Sequence, residues 1–115
     1  MPLLNIQTNV DLGSQEQCND FLAEASVVVA NILSKPESYV MVMAQCNPHM
    51  LFAGNNEPLA YLELKSLGLP EDKTADLSKA LCDMMNKHFQ IDNNRVYIEF
   101  KNGERHLWGW NGGTF

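Results

Sequence analysis

One unit written twice constrains this chain more than any other feature of it. Residues Pro2 to Thr8 alternate, with Leu4, Ile6 and Thr8 on one side and Leu3, Asn5 and Gln7 on the other, the period of a strand. Ser14 then offers a side-chain oxygen for a helix N-terminus, and Gln17 can answer it in a capping box. Phe21, Ala25, Val28 and Ile32 recur at helical spacing, widened by Leu22, Val29 and Leu33. The helix must end before Pro36, which pushes its preceding residue out of helical geometry. Tyr39 to Cys46, rich in Val, Met and Tyr, predicts a second strand. After polar turns at Asn47-Pro48 and Gly54-Asn55-Asn56 the order restarts with a strand over Leu59 to Leu67. A second helix is predicted from about Pro70, with Glu71 and Asp72 at its positive end and Leu77, Leu81, Met84, Met85, His88 and Phe89 on its buried side. Arg95 to Lys101 predicts a fourth strand, and Asn102-Gly103 a hairpin returning the chain into Arg105 to Trp110.

Two βαβ units with right-handed crossovers put both helices on one face of a four-stranded mixed sheet. The expected architecture is a two-layer α/β sandwich of the α+β kind, one domain over residues 1–115. Its other face carries Leu4, Val42 and Leu62 or their alternating neighbours, so self-association is the natural cover. An apolar content of 45% with 19% charged residues excludes disorder and fibre. A net charge of -6 leaves no basic face for nucleic acid or an anionic membrane. No run approaches the roughly 18 apolar residues of a membrane span, and the N-terminus lacks a secretory pattern. Cys18, Cys46 and Cys82 are widely spaced and odd in number, which suits reduced thiols in a cytoplasmic setting; secretion would have to bypass a signal peptide. His49, His88 and His106 are too dispersed for metal spacing, and neither metal nor cofactor is expected.

Met1-Pro2 is the first candidate for chemistry. A small residue after the initiator lets Met1 be trimmed, which leaves Pro2 as a secondary amine able to act as a base. Inside a chain the same nitrogen is an amide without proton chemistry. Pro2 equally suits the first position of a strand, where it owes no ladder hydrogen bond. Lys35 stands where the first helix ends and is favoured there by the helix dipole in any case. Ser66 and Leu67 end a strand at the carboxyl edge of the sheet, a place for ligands or for a plain turn. Tyr97 in Val96-Tyr97-Ile98 reads as a strand aromatic among neighbours. Trp108, Trp110 and Phe115, interleaved with Gly109, Gly112 and Gly113, suit either a pocket wall for a small planar ligand or an oligomer anchor.

Together these positions resemble the macrophage migration inhibitory factor family of the tautomerase superfamily, whose members start with proline. The resemblance rests on Met1-Pro2 with Thr8-Asn9, on Lys35-Pro36-Glu37-Ser38-Tyr39-Val40, on Phe52-Ala53-Gly54 with Glu57-Pro58, and on Ser66-Leu67-Gly68. It continues through Leu81-Cys82, Arg95-Val96-Tyr97-Ile98 and the ending Gly109-Trp110-Asn111-Gly112-Gly113-Thr114-Phe115. Motifs that are weak singly are specific in this order, and they span nearly the whole chain.

The resemblance implies a homotrimer with sheets around a central channel and active sites between subunits. It implies Pro2 as base, Lys35 as the cation beside it, and Ser66 and Leu67 as pocket floor. Tyr97 would come from the adjacent subunit, and Tyr39, Trp110 and Phe115 would line an aromatic wall. The implied activity is keto–enol tautomerisation of a small aromatic 2-oxo acid of the phenylpyruvate type. The alternative is a cytokine-like protein whose trimer surface engages a receptor. Some positions depart from the mammalian members: Glu99 replaces an Asn, Trp108 a small aliphatic residue, and Lys65 a His. Glu99 is expected to offset Lys35 in part. Leu59 and Leu62 occupy the place of a Cys-x-x-Cys pair, so a thiol oxidoreductase activity is not supported.

Overall fold

The computed structural model describes residues 1–115. Four strands, β1 (Leu3–Thr8), β2 (Met41–Cys46), β3 (Ala60–Leu67) and β4 (Val96–Gly103), form one sheet in the order β2-β1-β3-β4. Helix α1 (Gln15–Leu33) links β1 to β2, and α2 (Thr74–Phe89) links β3 to β4. Both of those strand pairs are parallel, while β1 and β3 meet antiparallel in the middle. The two halves are therefore the expected repeat, joined at their first strands. A short ribbon of β5 (Gly109–Trp110) and β6 (Gly113–Thr114) ends the chain.

Local chemistry sets the helix boundaries. Ser14 and Gln17 form the full capping box: Ser14 Oγ accepts from the Gln17 N–H and Gln17 Oε1 accepts from the Ser14 N–H. At the other end Ser34 adopts a left-handed conformation with φ 54°, its N–H returning to the Ala30 and Asn31 carbonyls. Gln90 closes α2 in the same way with φ 55°. Pro36 is thus not the stop itself; it leads into a 3₁₀ turn at Glu37–Tyr39, and β2 starts only at Met41. Likewise a 3₁₀ turn at Glu71–Lys73 follows Pro70, so α2 begins at Thr74.

Phe21, Ala25, Val29 and Leu33 of α1 and Leu77, Leu81, Met85 and Phe89 of α2 pack on Leu4, Ile6, Leu62 and Leu64 of the central strands. Val42, Val96, Ile98 and Phe100 of the edge strands are half-buried against them. Across the top of the two helices Glu24 accepts from Lys87 Nζ at 2.8 Å and pairs with His88 Nε2. Those two hydrogen bonds hold the Glu24 carboxyl below the usual carboxylate range.

One alternative is resolved and one expectation is corrected. Leu4, Val42 and Leu62 face the helices, so the open face belongs to their neighbours, and much of it is polar: Asn5, Gln7, Tyr61, Glu63, Lys65, Glu99 and Lys101. Exposed apolar surface collects at the β2 edge instead, where Met41 is 62% and Met43 44% exposed. Asn102-Gly103 is not a hairpin turn. Both residues continue β4 beside Ser66 and Leu67, because Asn102 Oδ1 accepts the Leu69 N–H at 3.1 Å and ties the end of β4 to the chain leaving β3. The turn proper lies at Asn111-Gly112, both with positive φ, between β5 and β6.

Candidate active site

The amino end of β1 lies between β2 and β3. The Pro2 carbonyl accepts the Met41 N–H at 3.0 Å, and continuing the antiparallel register from Leu3 opposite Lys65 sets Pro2 opposite Ser66. Pro2 is fully buried. Lys35, whose N–H donates to the Ala30 carbonyl at 3.0 Å, leaves α1 close enough for its charge to be felt at the N-terminus. Burial first, and the Lys35 ammonium second, pull the Met1 α-amine below its ordinary value.

Ser66 and Leu67 are buried at the end of β3, with Ser66 Oγ donating to the Leu67 carbonyl at 3.3 Å. On the other side of Pro2 the parallel register brings Val40 alongside, so Tyr39 stands by the N-terminus. Tyr39 meets Trp110 edge-on at 5.5 Å between ring centroids and Phe115 at 6.3 Å, while Trp110 and Phe115 stack at 5.7 Å and 20°. These offset and edge contacts are the favourable aromatic geometries. The glycine-rich ribbon is what lets Trp110 and Phe115 overlie one another, and the Phe115 N–H fixes its end by donating to the Trp108 carbonyl at 3.2 Å. One end of the sheet therefore gathers Pro2, Lys35, Tyr39, Ser66, Leu67, Trp110 and Phe115.

Tyr97 is not among them. It lies near the start of β4, five residues before Asn102, which at strand rise is about 16 Å from the Ser66 end. Its ring is 66% exposed and packs edge-on against Phe52 at 4.8 Å. Within one chain it cannot reach Pro2.

Glu99 is occupied on the open face, away from Lys35. Tyr61 donates to Glu99 Oε1 at 2.9 Å, and Lys101 Nζ lies 3.6 Å from the same oxygen. The hydrogen bond to Glu99, with burial and the charges of Glu99 and Glu63, pushes the Tyr61 phenol up to about 12. Glu63 bridges Lys65 at 3.1 Å and Lys101 at 3.4 Å. Lys65, which precedes Ser66, is thereby held on the open face.

The turn signal of Asn102-Gly103 hides a packing role of Gly103. A Cβ there would lie 2.3 Å from Trp108 Nε1 and 3.2 Å from Leu67 Cδ2. The indole of Trp108 thus sits in the space that the missing side chain leaves, against Leu67. No spacing rule signals such a pairing.

A βαβ repeat closed into one sheet, with a lysine beside the buried amino end of a central strand, is the arrangement of a tautomerase-superfamily protein. Comparison with known proteins narrows this. The family profile described as Macrophage migration inhibitory factor (MIF) matches residues 1–115. A macrophage migration inhibitory factor homolog of Trichinella spiralis is 39% identical over 116 aligned positions, covering all of both chains. The Mus musculus macrophage migration inhibitory factor is 33% identical over 116 positions, covering 100% of this chain and 99% of that one. Among solved structures, the homologue from Prochlorococcus marinus superposes with a TM-score of 0.92 at 41% identity over 98% of each chain. That from Trichinella spiralis gives 0.88 at 37% identity, over 98% of this chain and 99% of the other. The chain belongs to the macrophage migration inhibitory factor family.

Proposed function

We propose that the chain, once Met1 is removed, is a keto–enol tautomerase of small aromatic 2-oxo acids of the phenylpyruvate type, with Pro2 as the catalytic base. The observation that carries this reading is the environment of the amino end of β1, where burial and Lys35 both disfavour a protonated amine. A base acts best when its pKa lies near the working pH, and these two influences move an amine in that direction.

In this reading the free Pro2 nitrogen takes the proton from the carbon next to the substrate carbonyl. The C–H electron pair becomes the enol double bond, and the carbonyl pair moves onto oxygen. The proton returns to that oxygen from Pro2 or from solvent, so nothing is oxidised and no cofactor is consumed. Lys35 pairs with the substrate carboxylate, Ser66 and Leu67 form the floor, and Tyr39, Trp110 and Phe115 face the aromatic ring. Tyr97 of a neighbouring subunit donates toward the forming enolate. Within its own chain Glu99 accepts from Tyr61 and pairs with Lys101, which offsets part of the charge it would set against the Lys35 of a neighbouring subunit. Formation of the enol, followed by its absorbance on processed protein, tests the reading; processed protein without turnover of any aromatic 2-oxo acid would overturn it.

The site as described needs a second chain, since Tyr97 is too far from Pro2 in its own. A homotrimer is expected, joined through the open edges of β2 and β4. Light scattering should give three times the 12.9 kDa mass of one chain, and a monomer at micromolar concentration would rule it out.

Trp108 is expected to narrow the site, because its indole rests against Leu67 in the space above Gly103. Trp108→Val should improve the relative kcat/KM for ring-substituted substrates by about tenfold over phenylpyruvate, in line with what pocket volume discriminates. Gly103→Ala, which displaces the indole, should shift the ratio too. An unchanged substrate ratio in both variants would show that Trp108 stands outside the site.

A further inference from the structure

We infer that Arg95 is a positioning residue for Tyr97, acting through Phe52 and the connector between β2 and β3. The inference rests on the proposed role of Tyr97 and extends it. Arg95 stands at the foot of β4, two residues before Tyr97. Its guanidinium makes four hydrogen bonds, all to main-chain carbonyls of the connector: Nη1 to Phe52 at 2.9 Å, Nη2 to Asn55 at 3.3 Å and Glu57 at 3.0 Å, and Nε to Pro58 at 3.2 Å. No carboxylate forms an ion pair with it. The charge is used entirely to hold backbone.

The backbone held in this way is a tight turn. Phe52 and Asn55 exchange both main-chain hydrogen bonds, at 3.0 and 3.1 Å, across Ala53 with φ 53° and Gly54 with φ 78°. A left-handed alanine is a strained element that persists only where its surroundings impose it, and the Arg95 fork supplies bonds to both ends of the turn. A planar five-donor fork can span such separated carbonyls, whereas the point charge of a lysine cannot. The guanidinium also lies 5.1 Å from the Phe52 ring centroid, a cation–π distance. The same ring meets Tyr97 edge-on at 4.8 Å and 67°.

A continuous set of contacts thus runs from Arg95 through Phe52 to the Tyr97 ring. Tyr97 is 66% exposed, and the aromatic ring its own ring packs against is that of Phe52, with the hydroxyl carried at the far end. Phe52 therefore decides where that hydroxyl is presented, and Arg95 decides where Phe52 sits. A small misplacement of a group acting at the transition state costs up to about 100-fold in rate, so the device bears on kcat rather than on binding.

The test uses the processed, assembled protein and four variants: Tyr97→Phe, Arg95→Lys, Phe52→Leu and the double variant Arg95→Lys with Tyr97→Phe. Arg95→Lys is expected to lower kcat about tenfold with KM changed less than about twofold, at unchanged oligomer mass. Phe52→Leu, which leaves the guanidinium bonds in place, should reproduce that loss. Once the hydroxyl is gone its placement no longer matters, so in the Tyr97→Phe background Arg95→Lys should cost less than about twofold more. Full additivity in the double variant, or wild-type kcat in both Arg95→Lys and Phe52→Leu, would overturn the positioning role. A Tyr97→Phe variant with unchanged kinetics would instead remove the role of Tyr97 on which the inference rests.

Discussion

Replacing Pro2 by glycine is expected to lower kcat about 100- to 10,000-fold, the range that a positioned base contributes to proton transfer. A chain that keeps Met1 should be similarly inactive, because its Pro2 nitrogen is an amide and the α-amine has moved one residue outward. Lys35→Ala should act differently. Losing the carboxylate partner weakens ground-state binding and raises KM, while the base itself remains. It should also shift the pH profile, and the sign follows from the site. The Met1 α-amine at this end of β1 is lowered first by burial and second by Lys35, and a Pro2 amine in the same surroundings is expected to hold its proton to higher pH once the lysine is deleted. Since in the proposed mechanism only the free amine takes a proton from the substrate, the acidic limb of kcat/KM is expected to move upward in Lys35→Ala. It stops short of an ordinary amine, because burial persists. An unmoved limb would mean that burial alone sets the basicity, and wild-type turnover in Pro2→Gly would dismiss Pro2 as the base.

The largest effect on stability is expected from Phe21→Ala. Phe21 has no exposed surface and lies at the centre of the contact between α1 and α2, with edge-on partners Phe89 at 4.8 Å and His88 at 5.2 Å. Removing a buried phenylalanine ring costs about 3–5 kcal/mol in transfer free energy and cavity formation. For a chain of this size that is a fall in Tm on the order of 10–20 °C. The melting temperature by circular dichroism checks it, and a fall of less than about 5 °C would show that the helices repack around the gap. Residual folded protein should keep its kcat, since the aromatic partners of Phe21 are Phe89 and His88 of α2, neither of which belongs to the group around Pro2.

Much of this architecture is written locally in the chain. The alternation of Leu4, Ile6 and Thr8 and the Ser14–Gln17 cap needed no tertiary context, because strand period and capping act over a few residues. The meeting of Pro2 with Ser66 follows once the two central strands are paired antiparallel. Alternation says nothing, however, about which side turns toward the helices. The Asn102-Gly103 dipeptide carries a strong local turn signal, but the demands made on it come from Leu69 and Trp108, which are distant in sequence or unreadable by period. Arg95 and Phe52 were equally opaque as a pair: their contact depends on a left-handed alanine, a conformation that residue type gives no reason to expect. Tyr97 was legible as a site residue only by resemblance, since one chain leaves it at the far end of β4.

The open face of the sheet carries Glu63 and Glu99 against Lys65 and Lys101, two charges of each sign, on a chain whose net charge is -6. The whole negative excess therefore resides on other surfaces. Copies joined at the β2 and β4 edges with this electroneutral face turned toward one another would feel little mutual repulsion, while the acidic exterior would keep finished assemblies apart. Dilution from high salt into low salt should for that reason leave the assembly intact, where a like-charged face would come apart as its screening was withdrawn.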